Sequence, residues 1–83
     1  MTTPSTYTVY SKNGCSYCEK VKAVLTLAEV RFIEVKLDRD FDRKQFVSTF
    51  GAGSTFPQVL DEEGNQLGGA SETVKYLKEQ GLV

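Results

Sequence analysis

The segments Tyr7-Thr8-Val9-Tyr10 and Gly14-Cys15-Ser16-Tyr17-Cys18 lie close together near the start of this chain. The first is rich in aromatic and β-branched residues, which predicts a strand. After the second, apolar residues recur at helical spacing and predict an amphipathic helix over residues 16–28; they are Cys18, Val21, Val24, Leu25 and Ala28. The two cysteines therefore lie where a strand gives way to a helix.

That position favours redox chemistry at the cysteine pair. The N–H groups in the first turn of a helix lack backbone partners, and the helix dipole is positive there. A thiolate at Cys15 would be stabilised, with its pKa lowered from ~8.5 toward the reactive range of roughly 3.5–7.5. Lys12 adds a nearby cation. We therefore expect Cys15 to attack a substrate disulfide and the more buried Cys18, one turn further on, to resolve the mixed disulfide.

Other roles for two close cysteines carry less weight in this context. A buried pair or a static disulfide is the simplest alternative, but a strand–CxxC–helix arrangement favours turnover. Structural zinc usually takes four Cys or His ligands, and this chain has two cysteines and no histidine. A zinc site shared between two chains stays open. The absence of histidine also excludes Ser–His and Cys–His catalysis.

The remaining strands and helices are predicted from residue patterns and from the residues that favour turns and helix caps. Residues 32–37 predict a second strand, and Asp40 is the expected cap of a second helix. Residues 56–60 and 66–68 predict two further strands joined by a turn, and Ser71 is the expected cap of the last helix. The expected inward residues of these two helices are Phe46, Val47 and Phe50, then Val74 and Leu77.

The predicted order β-α-β-α-β-β-α gives an α/β fold. A strand–helix–strand start implies a parallel pair, and the later hairpin implies an antiparallel one. We therefore expect a four-stranded mixed sheet with helices on both faces. With 83 residues the chain allows one domain, residues 1–83.

Composition narrows the class of partner. The formal net charge is −1 and the basic residues are scattered, so no nucleic-acid partner is expected. No apolar stretch approaches the ~20 residues that span a bilayer. Residues 1–6 lack the basic and apolar regions of a signal peptide. We expect a cytoplasmic monomer that does not bind membranes.

Two later segments suggest a ligand groove. In Thr55-Phe56-Pro57-Gln58-Val59 a proline opens a strand; a cis bond there would expose the Phe56 backbone for pairing with an extended peptide, whereas an ordinary trans proline is the simpler alternative. In Gly68-Gly69-Ala70-Ser71-Glu72, glycines precede a helix whose N–H groups suit a carboxylate. A plain turn and helix cap explains this second segment equally well.

Together, these motifs resemble the glutaredoxin family, which has the thioredoxin fold. The resemblance runs from Tyr7 to about Leu82 and rests on Lys12 with Cys15-Ser16-Tyr17-Cys18, on the segment around Pro57, and on residues 68–72. It implies a glutathione-disulfide oxidoreductase that reduces protein disulfides and glutathione mixed disulfides. Glutathione would be the co-substrate, and no metal would be required.

The resemblance also implies a set of glutathione-binding residues: Lys12, Tyr17, Lys44, Phe56, Pro57, Ser71 and Glu72. The Phe56–Pro57 bond would be cis, and the Phe56 backbone would pair with the cysteinyl residue of glutathione. Ser71 and Glu72 would hold the γ-glutamyl end. Lys12 and Lys44 would face the glycine carboxylate, and Tyr17 would line the groove.

Three positions depart from the family pattern. Ser16 stands where the commonest dithiol form has proline, Phe56 stands where valine is frequent, and Glu72 replaces a frequent aspartate. Ser16 keeps one alternative open, since some relatives with serine there hold a [2Fe–2S] cluster between two protomers through the first cysteine, here Cys15, and glutathione. Another alternative is a thioredoxin-like electron donor, for example to ribonucleotide reductase.

Overall fold

The computed structural model describes residues 6–83, which form four strands and three helices. In chain order these are β1 (Thr6–Ser11), α1 (Ser16–Leu27), β2 (Arg31–Lys36), α2 (Arg43–Phe50), β3 (Gln58–Leu60), β4 (Gln66–Gly68) and α3 (Ala70–Glu79). The predicted order of elements is confirmed. None of the helices within residues 6–83 has the length and hydropathy that a membrane span requires.

The four strands form one mixed sheet in the order β2-β1-β3-β4. β1 runs parallel to β2 in a register that pairs Val9 with Glu34. β3 runs antiparallel to β1, with Val59 opposite Val9, and antiparallel to β4. The parallel start and the later hairpin are both confirmed, and β1 lies at the centre of the sheet.

The main core lies between the sheet and the helices α1 and α3. Burial alternates along β1, so that Tyr7 and Val9 face this core. They pack with four fully buried residues: Val21, Leu25, Val59 and Leu77. Val9 is also fully buried, and Tyr7 is 4% exposed. The core thus ties α1, which carries the cysteines, to the central strands and to α3.

A second, aromatic cluster covers the opposite face of the sheet. Tyr10 points away from Val9 because successive strand residues face opposite sides. Its ring lies 4.9 Å from that of Phe50 and 5.1 Å from that of Phe41, and Phe46 stacks on Phe56 at 4.2 Å. Phe46 and Phe50 belong to α2, so the helices do lie on both faces of the sheet.

Three details of α2 and of the turn that precedes it differ from the prediction. Val47 is 38% exposed, so the inward stripe of α2 is formed by Phe46 and Phe50 alone. The N-cap is Asp42, whose carboxylate accepts from the Gln45 N–H at 2.8 Å while the Gln45 side chain accepts from the Asp42 N–H. Asp40 instead accepts from the Lys36 N–H at 2.9 Å, because it belongs to the turn that follows β2.

Two predicted starts also shift. β3 begins at Gln58, two residues after the predicted Phe56, because Pro57 has no N–H to give to the sheet. The cap of α3 is Gly69, which makes Ser71 a first-turn residue. That shift leaves the Ser71 N–H at the open end of the helix.

Candidate redox site

The two cysteines form a disulfide at the start of α1. Cys15 is the N-cap residue with extended backbone, and its Sγ accepts a hydrogen bond from the Cys18 N–H at 3.1 Å. The Cα atoms of the pair are 5.2 Å apart, within the usual range for a disulfide. The N-cap position of Cys15 is the place where sequence patterning put the attacking sulfur.

Burial distinguishes the two cysteines. Cys18 is fully buried, whereas Cys15 is only partly covered. An incoming disulfide can therefore reach Cys15 first, while Cys18 stays within reach of the Cys15 sulfur from inside the helix. This arrangement suits one cysteine to intermolecular attack and the other to the intramolecular step.

Lys12 and Phe56 meet beside the cysteine loop. The Lys12 Nζ lies 5.5 Å from the centroid of the Phe56 ring, a distance typical of a cation–π contact. Phe56 is held in turn by stacking on Phe46. The bulky residue at position 56 thus anchors Lys12 near the redox centre.

A groove of about 180 Å³ lies beside Tyr17, the residue that precedes Cys18. Tyr17, Thr55-Phe56-Pro57 and Gly69-Ala70-Ser71-Glu72 line it. The Phe56–Pro57 peptide bond is cis, as the family resemblance implies. Five of the seven predicted glutathione residues therefore line one groove, and Lys12 contacts one of its walls.

The start of α3 offers free backbone donors to this groove. Within the helix, the first N–H with a backbone partner is that of Thr73, which donates to the Gly69 carbonyl at 3.0 Å. The N–H groups of Ala70 and Ser71 precede it and have no hydrogen-bond partner among residues 6–83. An anion placed here would meet two N–H donors and the positive end of the helix dipole.

Glu72 has a local role that the sequence did not reveal. Its Oε1 accepts from the Gly69 N–H at 2.8 Å, so this carboxylate oxygen fixes the turn before α3. A Cβ on Gly68, whose φ is +113°, would lie 2.9 Å from the Glu72 Cβ. The close approach of the two residues explains why glycine precedes this helix.

Lys44, one of the predicted glutathione-binding residues, lies outside the groove. It is exposed in the first turn of α2. Conversely, Thr55, Gly69 and Ala70 line the groove but were not predicted as site residues. Their positions within the two quoted motifs were the only sequence signal that could have identified them.

Comparisons with known proteins agree on one family. The family model described as Glutaredoxin matches residues 7–63. Glutaredoxin-C1 of Arabidopsis thaliana is 32% identical over 78 residues, which cover 90% of this chain and 62% of that protein. The chain thus spans less than two thirds of the length of this relative.

Solved structures give the same result. The structure of glutaredoxin 1 from Francisella tularensis complexed with cacodylate has a TM-score of 0.75 at 25% identity, and covers 94% of this chain and 96% of its own. A buckwheat glutaredoxin–glutathione complex has a TM-score of 0.72 at 26% identity, covering 92% and 70%. These neighbours share the thioredoxin-like fold, and the family supports a thiol–disulfide oxidoreductase role for the cysteine pair. The chain belongs to the glutaredoxin family.

Proposed function

We propose that this protein is a glutathione-dependent oxidoreductase that reduces protein disulfides and glutathione mixed disulfides. The observation that carries the proposal is the groove beside Tyr17, where Pro57 and the open start of α3 meet. Tyr17 lines this groove and lies two residues after Cys15. A buckwheat relative has been solved with glutathione bound, which supports the same ligand here.

The groove suits both ends of glutathione. The free N–H groups of Ala70 and Ser71 would bind the carboxylate of the γ-glutamyl end. The Phe56 backbone, just before β3, would pair with the cysteinyl residue. Lys12, which contacts the Phe56 ring, would attract the glycine carboxylate. Lys44, exposed on α2 and outside the groove, would add a second positive charge for the same carboxylate.

The proposed exchange proceeds through thiolates. The Cys15 thiolate attacks a protein disulfide, forming one S–S bond and releasing one substrate thiolate, which takes up a proton. Cys18 then attacks Cys15, releases the second substrate thiol and leaves the Cys15–Cys18 disulfide. One glutathione thiolate then attacks Cys15, forms a mixed disulfide with it and releases the Cys18 thiolate. A second glutathione thiolate attacks the glutathione sulfur of that mixed disulfide, which releases the Cys15 thiolate and oxidised glutathione. The two glutathione molecules thus supply the two electrons of the cycle.

Replacing each cysteine in turn tests its role in the two reactions. Cys15→Ser should abolish turnover of both substrate classes, because it removes the accessible sulfur. Cys18→Ser should keep reduction of a glutathione mixed disulfide, which Cys15 and glutathione complete alone, and lose most reduction of a protein disulfide. Both are measured as NADPH consumption with glutathione and glutathione reductase. Activity that survives Cys15→Ser would disprove the proposal.

The cationic contribution has a matched test on α2. Lys44→Gln should raise the KM for a glutathione mixed disulfide by about two- to fivefold, the size expected for one exposed ion pair. Arg43→Gln removes the same charge from the neighbouring residue and should leave KM unchanged. Equal effects of the two variants would assign the change to net charge and remove Lys44 from the site.

The finer expectations from the sequence remain proposals with separate tests. Replacing glutathione and its reductase with a thioredoxin reductase tests the thioredoxin-like alternative. Anaerobic iron and sulfide reconstitution, followed by absorption spectroscopy and sizing, tests the cluster-bridged dimer against the proposed metal-free monomer. A disulfide peptide from ribonucleotide reductase tests that substrate, and fractionation of the source cells tests the cytoplasmic location.

A further inference from the structure

A second groove of about 580 Å³ runs between α1 and α3. Its apolar wall is formed by Val24 and Val74, each half-buried, together with Ala70. Tyr17, whose side chain is 62% exposed, stands at the end of the groove nearest the cysteines. An apolar surface of this kind can take an aliphatic or aromatic side chain from another molecule.

Lysines surround this apolar wall. Lys20 lines it on α1, and Lys75 and Lys78 line it on α3. Among the ion pairs of residues 6–83, none involves any of these three lysines. Lys22, on another side of α1, shows the contrast, because its Nζ lies 2.8 Å from both Glu19 and Glu34. The groove therefore holds positive charge that the described part of the chain leaves uncompensated.

The two grooves share residues. Tyr17, Ala70 and Ser71 line both of them. A peptide whose disulfide lies at Cys15 could continue past Tyr17 into the space between α1 and α3 without leaving the protein surface. This continuity indicates that the occupant is the substrate that delivers a disulfide to Cys15.

We propose that the groove between α1 and α3 docks an acidic segment of the protein substrate, with an apolar side chain against Val24 and Val74 and carboxylates facing Lys20, Lys75 and Lys78. The proposal rests on the proposed disulfide reductase function and adds a substrate class to it: proteins whose disulfide is flanked by acidic and apolar residues. Charge of this kind selects partners and accelerates their encounter.

Direct binding tests the docking step without any redox chemistry. Two cysteine-free peptides are compared, each with one central leucine, the first with three glutamates around it and the second with three glutamines. The acidic peptide should bind at low salt about five- to tenfold more tightly, and the difference should shrink at 0.5 M salt. Amide shifts in NMR spectra should map to residues 20–24 and 70–78. Equal binding, or shifts confined to other surfaces, would overturn the proposal.

Charge variants with a matched control complete the test. Lys75→Gln with Lys78→Gln should remove most of the preference for the acidic peptide. Arg31→Gln with Arg43→Gln removes the same charge from β2 and α2, and should keep that preference. If both pairs of variants lost the preference, net charge alone would explain it. If sizing at several concentrations showed a dimer that forms through this groove, the occupant would be a second copy of the chain. Either result overturns the proposal.

The same variants distinguish failure of the docking from failure of the proposed function. With disulfide-containing forms of the two peptides, the lysine pair should lower kcat/KM for the acidic one by about five- to tenfold. Turnover of the mixed disulfide between glutathione and a small uncharged thiol should not change, since neither lysine lies in the glutathione groove. If the wild-type protein turned over no disulfide with glutathione, the proposed function would fail, while the binding comparison would still decide the docking.

Discussion

Single residues set which sulfur reacts and what lies beside it. Cys15 is reachable because it caps α1, and Cys18 is enclosed because it lies one turn inside the same helix. The residues around the groove act mainly through backbone groups, at Phe56 and at the start of α3. Side-chain identity therefore matters less at those positions than the shape of the chain, which glycine and proline control.

Gly68 is the residue where chain shape should be most sensitive to substitution. Gly68→Ala should lower the free energy of unfolding by about 1–3 kcal/mol, because the new Cβ would combine positive φ with a contact against Glu72. It should also raise the KM for glutathione substrates by moving the start of α3. Urea unfolding and steady-state kinetics measure the two effects.

Gly64 provides the control for this substitution. Its φ is +85°, but a Cβ there would meet no atom within 4 Å. Gly64→Ala should therefore cost about 1 kcal/mol from backbone conformation alone and leave KM unchanged. A loss of stability at Gly68 no larger than that at Gly64 would show that contact with Glu72 has no energetic weight.

At the scale of elements, a partly buried polar contact joins α1 to the strands beneath it. Glu34 on β2 accepts from the Lys22 Nζ at 2.8 Å and from the fully buried Ser11 hydroxyl at 2.7 Å. The side chains of Lys22 and Glu34 are 19% and 22% exposed. Burial raises the pKa of Glu34, but the hydrogen bonds from Lys22 and Ser11 and the nearby positive charges outweigh it, so the pKa is lowered overall.

This contact predicts a pH-dependent stability. A carboxyl whose pKa is lower in the folded state stabilises above its unfolded value, 4.5, and loses that contribution as the pH falls through the folded value. Glu34→Gln should cost about 1–2 kcal/mol at pH 7, and the difference from wild type should shrink below pH 4.5. Urea unfolding across pH 3–7 measures it, with the exposed Glu29→Gln as control. A constant difference across that range would contradict the assignment.

For the whole molecule, the tyrosine in the main core limits stability in alkali. Burial is the largest factor that raises the pKa of Tyr7 to about 12, and the negative charge of Glu62 adds to it. The unfolded chain ionises at its ordinary value of 10.0, whereas the folded chain resists ionisation. The folded state therefore loses stability as the pH rises from 10 toward 12.

Tyr7→Phe should remove this alkaline sensitivity. At pH 8, where Tyr7 is neutral in both states, the variant should be no more stable than wild type. Between pH 10 and 11.5 it should become the more stable protein, by about 1–2 kcal/mol near the upper end. Urea midpoints at several pH values measure the crossover. The control is Tyr17→Phe, which removes an exposed hydroxyl and should show no crossover. If Tyr7→Phe showed no crossover either, ionisation of Tyr7 would be excluded as the cause of the alkaline sensitivity.

Local pattern was enough to predict the order of the elements and the direction of the sheet. The β-branched and aromatic residues at positions 7–10, the helical spacing after Cys15 and the turn around Gly64 act over a few residues, so sequence alone determines them. The placement of the cysteines at a helix start is of the same kind. It identified Cys15 as the more accessible of the two sulfurs without any knowledge of distant contacts.

Tertiary structure decided the features that depend on competition between distant groups. Asp40 and Asp42 are both good helix caps by composition, and only the turn after β2 assigns Asp40 elsewhere. Val47 follows the helical stripe, yet it is 38% exposed, because Phe46 and Phe50 make the contacts of α2 with Tyr10 on the sheet. The meeting of Tyr17 with Pro57 and Ser71 in one groove joins α1 to segments 40 and 54 residues further along the chain. So does the lysine-rimmed groove between α1 and α3, because only packing sets two helices side by side.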